Sequence, residues 1–137
     1  MFGQGWSEYL AWCEEMVPTL PEEPRARLRA MAHQYFAHSA ADPAWFQFLN
    51  QRLVPGFEPS AEAYAPSVAV MDLFKSEMAG MGVTDEEALD MWVALLGGLV
   101  AAQLANDPGG SRYERLLDRA VDMYADHVGL AREEASR

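Results

Sequence analysis

Few side chains in this sequence have the types and spacing that chemistry needs. There are three histidines, His33, His38 and His127, and no His-Glu-x-x-His or Cys-x-x-Cys pair that would hold a metal. His33 and His38 are five residues apart, about 140° around a helix, so they do not share a face. No serine stands in a Gly-x-Ser-x-Gly turn, and the sole cysteine, Cys13, reads as a small apolar residue on a helix. The carboxylate pairs Glu14-Glu15, Glu22-Glu23, Glu86-Glu87 and Glu133-Glu134 sit at helix starts or on exposed faces, where the helix dipole and water account for them. Pro108-Gly109-Gly110-Ser111 precedes a helix but has neither the lysine nor the strand of a phosphate cradle, so it reads as a turn. These patterns predict no catalysis, no metal and no cofactor. A small helical enzyme would need a polar cluster inside a cavity, for which Tyr35, His33 and Gln103 are the candidates.

What the sequence does concentrate is apolar. It holds four tryptophans, eight methionines and six phenylalanines. Trp45, Phe48, Met71, Phe74, Met78 and Trp92 fall on three successive expected helices. Such side chains fill irregular gaps in a core and equally make adaptable walls for a hydrophobic ligand. Composition leaves both readings open, with plain core the simpler.

The elements that position them are helical throughout, with no strand alternation, no hairpin turn and no internal repeat. At 137 residues, half of them hydrophobic, the chain is read as a single domain over 1–137, frayed at 1–5 and 131–137. Trp6, Tyr9, Leu10 and Cys13 predict a first helix over 5–16, ended by Pro18. Leu28, Met31, Ala32, Tyr35 and Phe36 predict a second over 22–40. Asp42-Pro43 starts a short aromatic third helix reaching Leu53, with aspartate as N-cap and proline in the first helical position. A fourth runs from near Tyr64 to Gly80, with Pro66 in its first turn. Two more lie between Thr84 and Leu130.

That last pair organises the rest. Thr84 to Glu87 and Ser111 to Glu114 both have the form of capping boxes. Between them Ala88, Met91, Trp92, Leu95, Leu99 and Gln103 make a bulky stripe. Beside it Ala94, Gly98, Ala101 and Ala105 make a stripe of small residues. Mid-helix glycine costs about 1 kcal/mol against alanine, which close approach of another helix would offset, within one chain or between two. The final helix has a wide apolar face (Tyr113, Leu116, Leu117, Ala120, Val121, Tyr124 and Val128) and a narrow polar one. This pattern suits burial on two sides and predicts a homodimer through the last two helices.

Charge and hydropathy narrow the partners. The net charge is −11 and the one lysine is Lys75, while nucleic-acid affinity rests on cations neutralising phosphates. Arg25, Arg27 and Arg29 read as a solvated face, so no nucleic acid is expected to bind this chain alone. Apolar runs such as Met91 to Ala102 fall short of the ~20 residues of a membrane span, so no membrane partner is expected. The start lacks a signal-peptide pattern and the lone cysteine makes no internal disulfide, which together predict a cytoplasmic location.

Three stretches carry a family resemblance: Asp42-Pro43-Ala44-Trp45-Phe46-Gln47-Phe48-Leu49, Val54-Pro55-Gly56-Phe57-Glu58-Pro59, and Leu89 through Val100. With Gln103 to Gly110, they make the chain resemble the C-terminal ligand-binding and dimerisation domain of TetR/AcrR-type transcriptional regulators. The resemblance implies an all-α domain of about six helices whose last two pair with a second subunit in a four-helix bundle. Its dimer surface would include Ala94, Gly98, Ala101, Ala105, Leu116, Ala120 and Tyr124. It also implies a pocket for a small, largely apolar effector among Trp45, Phe48, Leu49, Met71, Phe74, Met78, Trp92, Leu95 and Leu96. Leu96 and Gly97 stand where the family carries a histidine, and nothing here corresponds to its helix-turn-helix domain. An alternative expectation is a stand-alone helical interaction protein that heterodimerises with a full-length regulator and has no ligand pocket.

Overall fold

The computed structural model describes residues 2–44, 46 and 61–131. Among the described residues the chain is all-helical, with five α-helices and no strand. They are α1 (Phe2–Met16), α2 (Pro24–Ala41), α3 (Ala61–Gly80), α4 (Glu86–Asn106) and α5 (Leu117–His127). A 3-10 turn, Val17–Thr19, continues α1, and another, Glu114–Leu116, leads into α5. The start at Asp42-Pro43 is present: Pro43, Ala44 and Phe46 are helical, and the Phe46 N–H donates to the Asp42 carbonyl at 3.0 Å. The remainder of that expected helix, including Trp45, Phe48 and Leu49, lies outside the described residues.

Helix ends follow local chemistry, and in two places not the chemistry expected. The cap of α4 is Asp85 rather than Thr84, its carboxylate accepting from the Ala88 N–H at 3.1 Å. A charged acceptor at the positive end of the helix outcompetes the neighbouring hydroxyl. Nor does Ser111 cap the last helix. The amides of Tyr113 and Glu114, which a Ser111 cap would have satisfied, donate instead to the Gln103 side-chain carbonyl at 2.7 and 3.1 Å. Asp107 accepts from the Arg112 N–H at 3.0 Å, and a Cβ at Gly110 would collide with that carboxylate. The α4–α5 loop is therefore held from within by a buried glutamine, and regular α-helix begins only at Leu117. At the other end of α5, Gly129 takes φ +82° and the Leu130 N–H returns to the Ala125 carbonyl at 2.9 Å, closing a Schellman turn.

α1 packs along α3, while α2 packs on α4 and α5. The core lies in the second group: Leu28, Ala32 and Phe36 of α2 meet Leu89, Trp92, Leu96 and Val100 of α4 and Leu117, Val121 and Tyr124 of α5. Met78 and Val83, from the end of α3 and the turn after it, close the same cluster. Tyr124 fixes α5 on α4 by donating its hydroxyl to the Ala88 carbonyl at 2.6 Å, with its ring 5.1 Å from Trp92.

The arginines of α2 are not the solvated face their spacing suggested. Arg25, Arg29 and His33 face Asp126, Asp122 and Asp118 of α5 at 2.6, 3.2 and 2.8 Å. Steps of four residues on two antiparallel helices produce this ladder, because residues four apart share a helix face. Arg25 is its anchor: the side chain is only 3% exposed, and it also donates to the carbonyls of Leu130 and Ala131 at 2.8 and 3.0 Å. The sequence shows these six residues but not that they face one another. Arg27 points elsewhere, donating twice to Glu77 of α3 at 2.6 and 3.0 Å. Arg25→Ala should cost about 3 kcal/mol, since it strips several charge-assisted bonds from a helix end. Urea unfolding measures this, and Arg29→Ala, whose ion pair is partly exposed, should cost about 1 kcal/mol or less.

Candidate ligand cavity and outer helix face

A cavity of about 170 Å³ lies where α1 and α3 meet α2 and α4. α1 contributes an aromatic wall, because Trp6, Tyr9 and Trp12 recur every three residues and Cys13 and Met16 continue the stripe. Tyr9 stacks on Trp12 with centroids 5.6 Å apart, Trp12 stacks on His38 of α2 at 4.5 Å, and Trp6 meets Tyr9 edge-on at 6.1 Å. Opposite stand Met71 and Phe74 of α3 with Trp92 and Leu96 of α4, while Met31 and Tyr35 of α2 form one side. The two solvent-exposed lining residues, Met71 and Val93, mark the mouth.

The described wall is largely apolar. Among the described residues Glu77 is the one Asp, Glu, Lys, Arg or His side chain that lines the cavity, and Arg27 already engages it twice. Burial pushes the Tyr9 phenol well above its ordinary range, and the neighbouring Cys13 and Tyr35 act in the same direction. Burial also raises the Tyr35 phenol, against the opposing effect of the Ser39 hydroxyl, and pushes the Cys13 thiol up to about 11. All three groups are protonated and uncharged at neutral pH, so Cys13 is a poor nucleophile here. His38, behind Trp12, has its pKa lowered by burial, with Asp42 opposing.

Of the residues expected to line an effector pocket, Met71, Phe74, Trp92 and Leu96 do so. Met78 does not: it is fully buried in the core beside Val83. Leu95 is half-buried against the core and also lies away from the cavity. Trp45, Phe48 and Leu49 lie outside the described residues. The α1 aromatics and the α2 pair Met31 and Tyr35 are among the lining residues that sequence reasoning missed. The signal is the Trp6, Tyr9, Cys13 spacing, which by itself marks only a helix. The polar candidates for an enzymatic cluster do not converge. His33 pairs with Asp118 on the surface, Gln103 holds the α4–α5 loop, and only Tyr35 reaches the cavity.

Among the described residues the outer side of α4 is bare. Ala94, Gly98, Ala101 and Ala105 are all exposed, and a Cβ built on Gly97 or Gly98 meets nothing within 4 Å. Close packing among the described residues therefore does not explain the small stripe. Met91, expected in the bulky stripe, is 46% exposed and extends the open face instead. The helix is apolar nearly all round, so its pattern does not fix which side turns inward. Leu89, Trp92, Leu96 and Val100 take that position. By length and composition α4 also passes as a membrane-crossing segment, with a third of its apolar window buried. That buried third includes core contacts and the hydrogen-bonded Gln103, which tie it to the other helices. Leu116, at the end of the 3-10 turn before α5, and Ala120 of α5 are half-buried, and Met123, on the same stripe, is 68% exposed. Tyr124 leaves the expected dimer surface: it is buried in its own chain, because its ring and hydroxyl are engaged by Trp92 and Ala88.

Among the described residues no group of histidine, cysteine or carboxylate side chains could hold a metal ion. No family model, no curated protein and no solved structure matches the chain.

Proposed function

We propose that this chain is an effector-binding and dimerising regulatory domain of TetR type, which takes a small apolar ligand and reads no DNA itself. One observation carries the reading. A single helix, α4, walls the cavity with Trp92, Val93 and Leu96 and turns Ala94, Gly98, Ala101 and Ala105 to the outside. A ligand that shifts α4 would shift whatever packs on its far side, and a ligand acts on an equilibrium only through such a difference. In this reading two copies pair through α4 and α5 in a four-helix bundle, with Met91 and Met123 joining the small stripe.

Thermal unfolding against a panel of small apolar compounds and a hydrophobic dye tests the sensing role. A compound present at a hundred times its dissociation constant adds about 2.7 kcal/mol, a rise of several degrees. A panel that leaves the melting temperature unmoved throughout contradicts it.

The cavity volume favours a second reading. At about 170 Å³ it is smaller than the ~300 Å³ at which ordinary ligand pockets begin. This suits a pocketless interaction protein that uses the same α4–α5 face to join a full-length regulator. Such a protein would mix with that regulator in preference to itself, and no small molecule would stabilise it.

A further inference from the structure

The apolar side chains of the described residues fall into two groups with the cavity between them. The continuous buried cluster draws on α2, α4 and α5, on Phe46, and on Met78 and Val83 at the end of α3. No residue of α1 belongs to it or packs against it. Cys13 of α1, Leu20 in the link after α1 and Val70 of α3 are buried outside that cluster, and all three line the cavity. A second, smaller apolar group of this kind, built where α1 packs along α3, is a candidate for separate opening.

The described polar and ring contacts across the seam are local. Arg27 of α2 donates twice to Glu77 of α3, at 2.6 and 3.0 Å, and once to the Pro21 carbonyl in the link after α1, at 3.1 Å. One guanidinium thus clasps both members of the α1–α3 pair. The Arg27 and Glu77 side chains are each 18% exposed, so opening exchanges their bonds for bonds to water. At the other end of α2, His38 meets the Trp12 ring at 4.5 Å and the Tyr9 ring at 5.2 Å. The end of α3 belongs to the core, where the Val83 N–H donates to the Met78 carbonyl at 2.9 Å and closes the turn.

We propose that α1 and the part of α3 before Met78 open from the α2–α4–α5 core as one unit, along the cavity and about the end of α3, while the core stays folded. The movement needs no ligand and so goes beyond the sensing role. Because seam and cavity coincide, a molecule held there touches both sides and biases the movement.

Cys13, the sole cysteine, is a built-in reporter, since it lies on the α1 side of the seam and is 8% exposed. Its labelling by a bulky maleimide is followed in the folded chain across low urea, with the unfolded chain giving the intrinsic rate. The expected labelling is at least about a hundredfold faster than global unfolding, read by circular dichroism, allows. Its urea dependence should be about half the global one, because that slope follows the surface exposed. Arg27→Gln should speed labelling about tenfold, through the loss of partly solvated charge-assisted bonds. Arg25→Ala, which loosens α2 from α5, should weaken the whole chain to urea yet leave Cys13 labelling in water within about twofold. Labelling that tracks global unfolding in both rate and slope makes the chain one cooperative body and overturns the proposal. Fast labelling with no urea dependence means that the reagent reaches Cys13 through the mouth of the cavity, which overturns it too. An Arg27→Gln chain labelled no faster than the parent does the same.

Discussion

Gly98→Trp is expected to separate the proposed dimer into monomers while leaving each chain folded. Among the described residues nothing crowds Gly98, since a Cβ there meets nothing within 4 Å. Removing a mid-helix glycine also favours the helix by a few tenths of a kcal/mol. In the proposed four-helix bundle the position is the reverse. Packed helix axes lie about 8–10 Å apart, with small residues at the near end of that range, and an indole at the contact cannot be absorbed without parting them. The dimer dissociation constant should rise at least about a hundredfold, which is close to 3 kcal/mol. Sedimentation velocity reads the first effect, and urea unfolding of the variant below its dissociation constant reads the second. A variant that associates as tightly as the parent would move the interface off α4.

Trp92→Ala acts on the same helix from the inside and should be the most damaging single substitution in the described core. Trp92 is 5% exposed, packs its ring 5.1 Å from Tyr124 and supplies part of the cavity wall. Truncating a buried tryptophan costs about 3–5 kcal/mol, from lost transfer energy plus the void left behind. Domains of this size have about 5–15 kcal/mol in all, so much of the margin disappears. The void would join a cavity already present, which places the cost towards the upper end. Trp92→Phe keeps most of the volume and should cost roughly half as much. Urea denaturation midpoints measure both, and a loss under about 1 kcal/mol for the alanine variant would show that the α4–α5 contact is not the centre of the core.

Particular residues show what could be read from the sequence. The helices α1, α2 and α4 follow from 3.6-residue spacing, and Pro18 marks the end of α1, while the starts of α2 and α4 are capped by Glu23 and Asp85, within two residues of where the sequence pattern put them. The small stripe of Ala94, Gly98, Ala101 and Ala105 was legible as a stripe, but its spacing does not say whether it packs within the chain or stays open. The phase of α4 was not legible: a helix apolar on every side gives no contrast, and Met91, read into the bulky stripe, turns outward while Leu89 and Val100, outside that stripe, are buried. Pairings across the fold were hidden for a different reason. Arg25 with Asp126, and Gln103 with Tyr113 and Glu114, depend on how helices distant in sequence are juxtaposed. The cavity was half legible, from Met71, Phe74, Trp92 and Leu96. Its α1 wall was missed because an aromatic stripe looks the same whether it meets a neighbour or a space.

The account turns on α4 having a second chain against its outer face. Sedimentation equilibrium of the unaltered chain at micromolar concentration tests this directly. It predicts a species of about 30 kDa, two chains of 15.2 kDa each. A single 15.2 kDa species across that range would contradict it.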